Sequence, residues 1–170
     1  MIATEDVVFI LSGDKKIEVV NAKDIAETIK KTDDKIAGLG PEKKGEAVTF
    51  CLVGNEMWVG DSKGFITVFD PETLAPKEDI EPMKTKNGDP CVSIASSLDG
   101  SVVAVGDSKG YTTVFDSASR ERKLFMANGR NKVLDMQFHS NGTHVISLGF
   151  DKYIAVSNVE TKATVKIMSK

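Results

Sequence analysis

Histidine is nearly absent from this sequence, and with it the usual means of building a catalytic or metal centre. The only two, His139 and His144, flank one short turn. Zinc takes three or four converging ligands, and the one further candidate nearby is Asp135. Both histidines therefore read as turn and strand residues, and no metal site is expected. No glycine-rich loop opens a helix: Gly60 and Gly64 sit among strand residues, so no helix dipole is aimed at a phosphate. Asp33 and Asp34 are a loop pair with no second acid at a catalytic spacing. Ser62 and Ser108 recur in register, the mark of an architectural residue, and no Ser/His/Asp set can be assembled. Catalytic residues and cofactors are both expected to be none.

Cysteine is scarce too. Cys51 and Cys91 each fall in an apolar strand, which predicts two buried free thiols in a reducing compartment and no disulfide. No apolar run approaches the roughly 18 residues of a membrane-spanning helix. The N-terminal MIATEDVVFILSGD carries acid where a secretory leader carries base, so a cytoplasmic location is expected. A net charge of −3 gives no electrostatic case for nucleic acid. The one basic cluster, Arg120, Arg122, Lys123, Arg130 and Lys132, is interrupted by Glu121 and offset by neighbouring acids. At 170 residues with 41% hydrophobic and 28% charged, the chain suits one compact soluble domain.

What the sequence does contain is one stretch written twice. Residues 59–70 read VGDSKGFITVFD and residues 105–116 read VGDSKGYTTVFD, identical at ten of twelve positions and offset by 46. Weaker copies occur as LGFDKYIAVSN at 148–158, with a loop read as one residue shorter, and SGDKKIEVVN at 12–21. The closing residues Asn21, Asp70, Asp116 and Asn158 lie 49, 46 and 42 apart. Periods of about 40–45 residues built of short strands mark propeller-like arrays.

Between the copies the pattern is strand, turn, strand, polar loop, strand. Expected strands are Val7–Leu11 and Ile17–Val20; Ala47–Leu52, Met57–Gly60 and Phe65–Asp70, with a polar outer strand near Lys77–Ile80; Cys91–Ser96, Val102–Gly106, Tyr111–Asp116 and Arg122–Met126; then Val133–Phe138, His144–Leu148, Tyr153–Asn158 and Thr164–Met168. Lys23 to Leu39 is ambiguous between an irregular outer strand with a loop and a helical turn. In Phe65–Asp70 both faces are largely apolar, which places that strand between two covering layers. The fold class is all-β: three full four-stranded blades and part of a fourth, over 6–168, with blades at about 6–37 (incomplete), 46–82, 90–127 and 132–168.

This order of elements, with Phe69-Asp70 and Phe115-Asp116 closing the third strands and Ser157-Asn158 as a degraded form, resembles the WD-repeat (WD40) β-propeller family. No Gly-His dipeptide precedes a first strand, and Lys63 and Lys109 stand where the family has its loop Asp. The family's buried Asp–His network is thus expected to be missing from those blades, leaving apolar packing alone. VAVGDSKGYTTVFD and KVLDMQFHSNGTHVISLGFDKYIAVSNVETK further resemble late blades of actin-interacting protein 1, a family that works with cofilin to disassemble actin filaments. The resemblance implies a cytoplasmic or cytoskeletal scaffold for protein–protein interaction, with actin and cofilin as the sharper partner reading and a propeller-shaped enzyme domain as the rival. Neither a membrane nor a nucleic acid is an expected partner.

Propellers generally have four to eight blades, and end blades expose faces and edges that neighbours normally cover. The array is therefore expected to be completed by more chain or by a second copy. In a propeller, loops joining second to third strands, and fourth strands to the next first strand, share one face. The candidate partner-binding residues there are Asp61, Lys63, Lys84, Lys86, Asp107, Lys109, Arg130, Lys132, Phe150 and Lys152. Phe150 is read either as an interface anchor or as a ring tucked onto the neighbouring blade.

Overall fold

The computed structural model describes residues 1–3, 7–13, 17–21, 39–42 and 44–168. Its regular elements, among those residues, are all strands: β1 (Ile2–Ala3), β2 (Val7–Leu11), β3 (Ile17–Asn21), β4 (Ala47–Val53), β5 (Glu56–Asp61), β6 (Phe65–Phe69), β7 (Met83–Lys84), β8 (Cys91–Ser96), β9 (Val102–Asp107), β10 (Tyr111–Asp116), β11 (Arg122–Ala127), β12 (Val133–Phe138), β13 (His144–Gly149), β14 (Tyr153–Asn158) and β15 (Thr164–Met168). They form four antiparallel sheets in chain order: β1-β2-β3, β4-β5-β6-β7, β8-β9-β10-β11 and β12-β13-β14-β15. The first strands of successive sheets pack side by side, β4 against β8 and β8 against β12.

Alternation along each strand sends one set of side chains to the preceding sheet and the other to the following one. Met57, Val59 and Phe69 of the second sheet close on Phe9 and Ile17 of the first. Trp58, Ile66 and Val68 turn the other way, onto Val103, Val105 and Phe115 of the third. Val102, Ala104 and Val114 in turn meet Val133, Met136 and Val145 of the fourth. The central sheets are thus apolar on both faces because each face is covered, as the sequence pattern of β6 requires. Burial of a Val, Ile or larger side chain contributes about 1.5–3 kcal/mol, and three such layers carry the fold.

Two glycines set how closely the sheets approach. A Cβ on Gly60 would lie 2.8 Å from Cys91 Cβ, and one on Gly106 would lie 2.7 Å from Val133 Cβ. In both cases the first side chain of the next sheet's inner strand sits directly on the backbone of the strand before it. Glycine inside a strand marks such an approach.

The residue closing each of the last three copies is a turn former. Asp70 Oδ1 accepts from the N–H groups of Glu72 and Thr73, Asp116 Oδ1 from Ala118 and Ser119, and Asn158 Oδ1 from Glu160 and Thr161. Each turn ends on a left-handed residue: Leu74, Arg120 and Lys162, with φ of 55°, 65° and 63°. The hydrogen bonds from Thr73 and Glu72 hold the Asp70 carboxyl below its ordinary value, and that from Ser119 does the same for Asp116.

Three details differ from the sequence reading. The outer strand of the second sheet is not at Lys77–Ile80. Pro76 makes a single bridge to Phe69 and the regular pairing resumes only at Met83–Lys84, just beyond the expected blade boundary at 82; Pro76 and Pro82 bracket a stretch that cannot donate a continuous ladder. The loop of the fourth copy is not shorter: residues 150–152 match 62–64, and Lys152 (φ 66°) takes the left-handed place held by Gly64 (φ 81°) and Gly110 (φ 89°). The first sheet also gains β1, which pairs with Phe9 and Val8. The ambiguous stretch from Lys23 lies outside the described residues until Leu39, which is buried and bridges to Gly45.

At the turn end, one ion pair joins two sheets. Arg120 Nη2 and Lys77 Nζ each lie 2.8 Å from Glu56 Oε1. Trp58 Nε1 donates to Glu56 Oε2 at 3.3 Å, and the Arg120 guanidinium sits 5.1 Å from the Trp58 ring centre. Burial pushes the Glu56 carboxyl up, but the bond from Lys77 and the charge of Arg120 more than reverse this. Arg120→Ala is expected to cost about 1–2 kcal/mol in urea unfolding, and Arg120→Ala with Glu56→Ala to cost less than the sum of the two single changes. Strict additivity would mean that the pair is not coupled.

Candidate protein-binding face

At the end opposite these turns, three equivalent loops are hooked to the segment that precedes their own sheet. Ser62 N–H donates to the Glu46 carbonyl, Ser108 N–H to Pro90 and Phe150 N–H to Lys132, at 2.9, 3.0 and 3.0 Å. The predicted site residues therefore do share one end of the sheets. Asp61 and Asp107, however, are fully buried. Asp61 Oδ1 accepts from Lys63 and Phe65 N–H at 2.8 Å each, and Asp107 Oδ1 from Lys109 and Tyr111 N–H at 2.8 and 2.9 Å. They brace the loops and offer no carboxylate to a partner. Burial pushes the Asp107 carboxyl above its ordinary value despite the bonds from Tyr111 and Lys109.

The exposed surface of this end is basic and ring-backed. Lys63, Lys109 and Lys152 stand at the three loop tips, with Lys84, Lys86, Arg130 and Lys132 between them. Lys84 Nζ lies 5.0 Å from the Phe65 ring centre, and Lys132 Nζ lies 5.1 Å from that of Phe150. Lys86 crosses to the next sheet: its N–H donates to Thr113 Oγ1, and its Nζ sits 4.4 Å from Tyr111 and 3.8 Å from Phe125. Each such contact is worth about 0.5–1 kcal/mol at an exposed site, which biases the cation toward the ring. Phe150 is 57% exposed; its ring meets Lys132 and does not tuck onto a neighbouring sheet. Arg130 N–H is fixed by Asp151 Oδ2 at 2.9 Å.

Other sequence candidates do not converge. Arg120 lies in the turn before β11 and Arg122 and Lys123 begin that strand, all at the turn end, whereas Arg130 and Lys132 follow it at the loop end. The basic cluster is thus split by a full strand. His139 and His144 are engaged within their hairpin, His139 Nδ1 accepting from Asn141 N–H and His144 Nδ1 lying 2.9 Å from Thr143 Oγ1. Cys51 and Cys91 are buried free thiols, pushed up to about 12 by burial. Asp33 and Asp34 lie outside the described residues.

No family model and no curated protein matches the chain. Among solved structures it is similar to one described as the structure of U3-55K, with TM-score 0.65 and 15% identity over 74% of this chain and 40% of that one. It is likewise similar to the crystal structure of RRP9 WD40 repeats, with TM-score 0.65 and 14% identity over 74% of this chain and 39% of that one. The fold is that of WD40-repeat propeller blades. The chain spans about two fifths of the length of these structures.

Within that WD40 frame one buried polar network was missed. Asn128, which follows β11, donates through Nδ2 to Thr112 Oγ1 at 2.8 Å and Ser147 Oγ at 3.0 Å, and accepts from Ser157 Oγ at 3.3 Å. All four side chains are buried. The junction of the third and fourth sheets therefore does not rest on apolar packing alone. Asn128 and three hydroxyls link the sheets where the sequence offers no Asp–His pair. Asn128→Ala leaves those hydroxyls without their amide partner and is expected to lower unfolding stability by about 2–3 kcal/mol. A loss below about 0.5 kcal/mol in chemical denaturation would show that the network is not holding the sheets together.

Proposed function

We propose that the chain is a non-catalytic platform that binds another protein through the loop end of its sheets, and that the surface it receives is acidic. The observation carrying this reading is the trio of lysines 84, 86 and 132, each held over an aromatic ring at that end. In a chain of net charge −3, the seven basic side chains gathered there outnumber Glu46, Asp89 and Asp151 beside them and leave a local excess of positive charge. Such a field steers an oppositely charged partner and fixes its register. Exposed Phe150 supplies the apolar anchor that cations alone lack. WD40 similarity supports a binding role as a matter of fold only, since one fold serves many functions. The buried reduced thiols are consistent with a cytoplasmic setting. Assistance to cofilin at an actin filament is a narrower version of this reading, and no feature of the structure favours it over another acidic protein.

The test uses two probes, a short labelled glutamate-rich peptide and filamentous actin. Lys86→Glu with Lys132→Glu is expected to weaken peptide binding about tenfold, and raising salt from about 50 to about 200 mM to weaken it further. Arg122→Glu with Lys162→Glu, at the turn end, should leave it within about twofold. Equal losses from both pairs would reject the loop end as the site. Actin sedimentation that follows the same ranking would select the narrower reading, and no sedimentation would dismiss it.

A further inference from the structure

Three asparagines in the chain are followed directly by glycine: Asn87, Asn128 and Asn141. In such a dipeptide the glycine main-chain nitrogen can attack the asparagine side-chain amide, because no Cβ on the following residue blocks the approach. The fold treats the three pairs differently. Asn128 is buried, its amide nitrogen held by Thr112 and Ser147 and its oxygen by Ser157. Asn141 is exposed but engaged: its oxygen accepts from Thr143 N–H at 3.2 Å and its nitrogen lies 3.0 Å from His144 Nδ1. Gly142 N–H also donates to the His139 carbonyl at 3.0 Å. Asn87 is exposed, and among the described residues nothing holds its side-chain amide. Gly88 N–H is tied only by a long bond to the Thr85 carbonyl, at 3.3 Å.

A second feature sets Asn87 apart. A Cβ on Gly88 would lie 2.5 Å from Lys84 Cε and 3.0 Å from Lys84 Nζ. The ammonium therefore rests against the glycine whose nitrogen must lose its proton. A cation so placed favours the deprotonated nitrogen and the oxyanion that forms on attack. Lys86 immediately precedes Asn87 and adds to the same field.

We infer that Asn87 is a site of spontaneous deamidation, and that the change lowers the affinity of the loop end as the molecule ages. The Gly88 nitrogen gives up its proton and bonds to Asn87 Cγ. The Cγ–Nδ2 bond breaks, the amide leaves as ammonia, and a succinimide ring closes. Water then opens the ring at one of its two carbonyls. Cleavage at Cγ leaves aspartate; cleavage at the main-chain carbonyl leaves isoaspartate, with one more carbon in the backbone. Either product sets a carboxylate beside Lys86 and the Lys84 ammonium, two of the three ring-backed cations of the loop end. Isoaspartate also lengthens the chain where it is closely packed, since a Cβ on Gly64 would lie 2.6 Å from Gly88 C and 2.5 Å from Asp89 O. The consequence for affinity rests on the binding role proposed above; the chemistry at Asn87 does not.

The test is peptide mass mapping of the full chain, sampled over weeks in warm neutral buffer. The Asn87 peptide is expected to gain the mass of amide-to-acid exchange about tenfold faster than the Asn141 peptide, with Lys84→Gln slowing it at least about twofold. The Asn128 peptide should stay unchanged while the chain is folded. In denaturant the three rates should converge, because the fold and not the dipeptide sets the ranking. A rate at Asn87 no greater than at Asn141, or the same ranking in denaturant, overturns the inference. For the consequence, Asn87→Asp should weaken binding of the labelled glutamate-rich peptide about threefold. Asn87→Gln, which closes a ring far more slowly, should keep its affinity on ageing where the unaltered chain loses it. An ageing loss that Asn87→Gln does not prevent overturns the assigned consequence. Failure of the fresh chain to bind the peptide would reject the binding role and the consequence with it, and the mass map would still decide the chemistry.

Discussion

The architecture depends on the contact between an inner-strand side chain and the bare backbone of the preceding sheet. Cys91 on Gly60 and Val133 on Gly106 bring successive sheets closer than any β-carbon would permit. That approach lets Trp58, Ile66 and Val68 interdigitate with Val103 and Val105, and lets Ala104 and Val114 meet Val145. Because interiors pack at near-crystalline density, loss of the approach would be felt across each layer. It also fixes where the loops end up. Sheets held at constant spacing present equivalent loops in equivalent places, so lysines 63, 109 and 152 form one surface rather than three unrelated tips.

The two ends of the sheets are chemically distinct. At the turn end, Asp70, Asp116 and Asn158 are consumed by backbone N–H groups, and Glu56 by Lys77 and Arg120. At the loop end Asp61 and Asp107 are turned inward and lysines 63, 109 and 152 outward, with Glu46 the exposed acid among them. Asp61 and Asp107 brace loops whose exposed members are basic. A chain that is acidic overall thereby acquires a basic end without any basic run in its sequence.

Much of the fold was legible because repetition is self-checking: ten matching positions out of twelve fix strand, loop and strand at once. The elements that escaped are those without a pattern to read. β1 is two residues long, and the outer strand of the second sheet is interrupted between Pro76 and Met83. The loop of the fourth copy was misjudged because Lys152 occupies a left-handed position where glycine was the expected marker. The candidate site was legible as a set of loops but not as a surface. Acidic loop residues read as exposed, yet Asp61 and Asp107 face the backbone. Lys86 belongs to one sheet's connection and finds its rings on the next. Asn128 gathers hydroxyls from three strands, and no linear spacing announces such a meeting.

The seating contact can be measured directly by a double-mutant cycle between Gly60 and Cys91. Gly60→Ala alone should destabilise the chain by about 2–3 kcal/mol through overpacking. In a Cys91→Gly background the same change should cost at least about 1 kcal/mol less, because the opposing β-carbon is gone. Relief would be partial, since Thr49 Cγ2 also lies 3.1 Å from the new methyl position. An identical cost in both backgrounds would contradict the account, for it would mean that the two residues do not touch and the sheets are not stacked in this register.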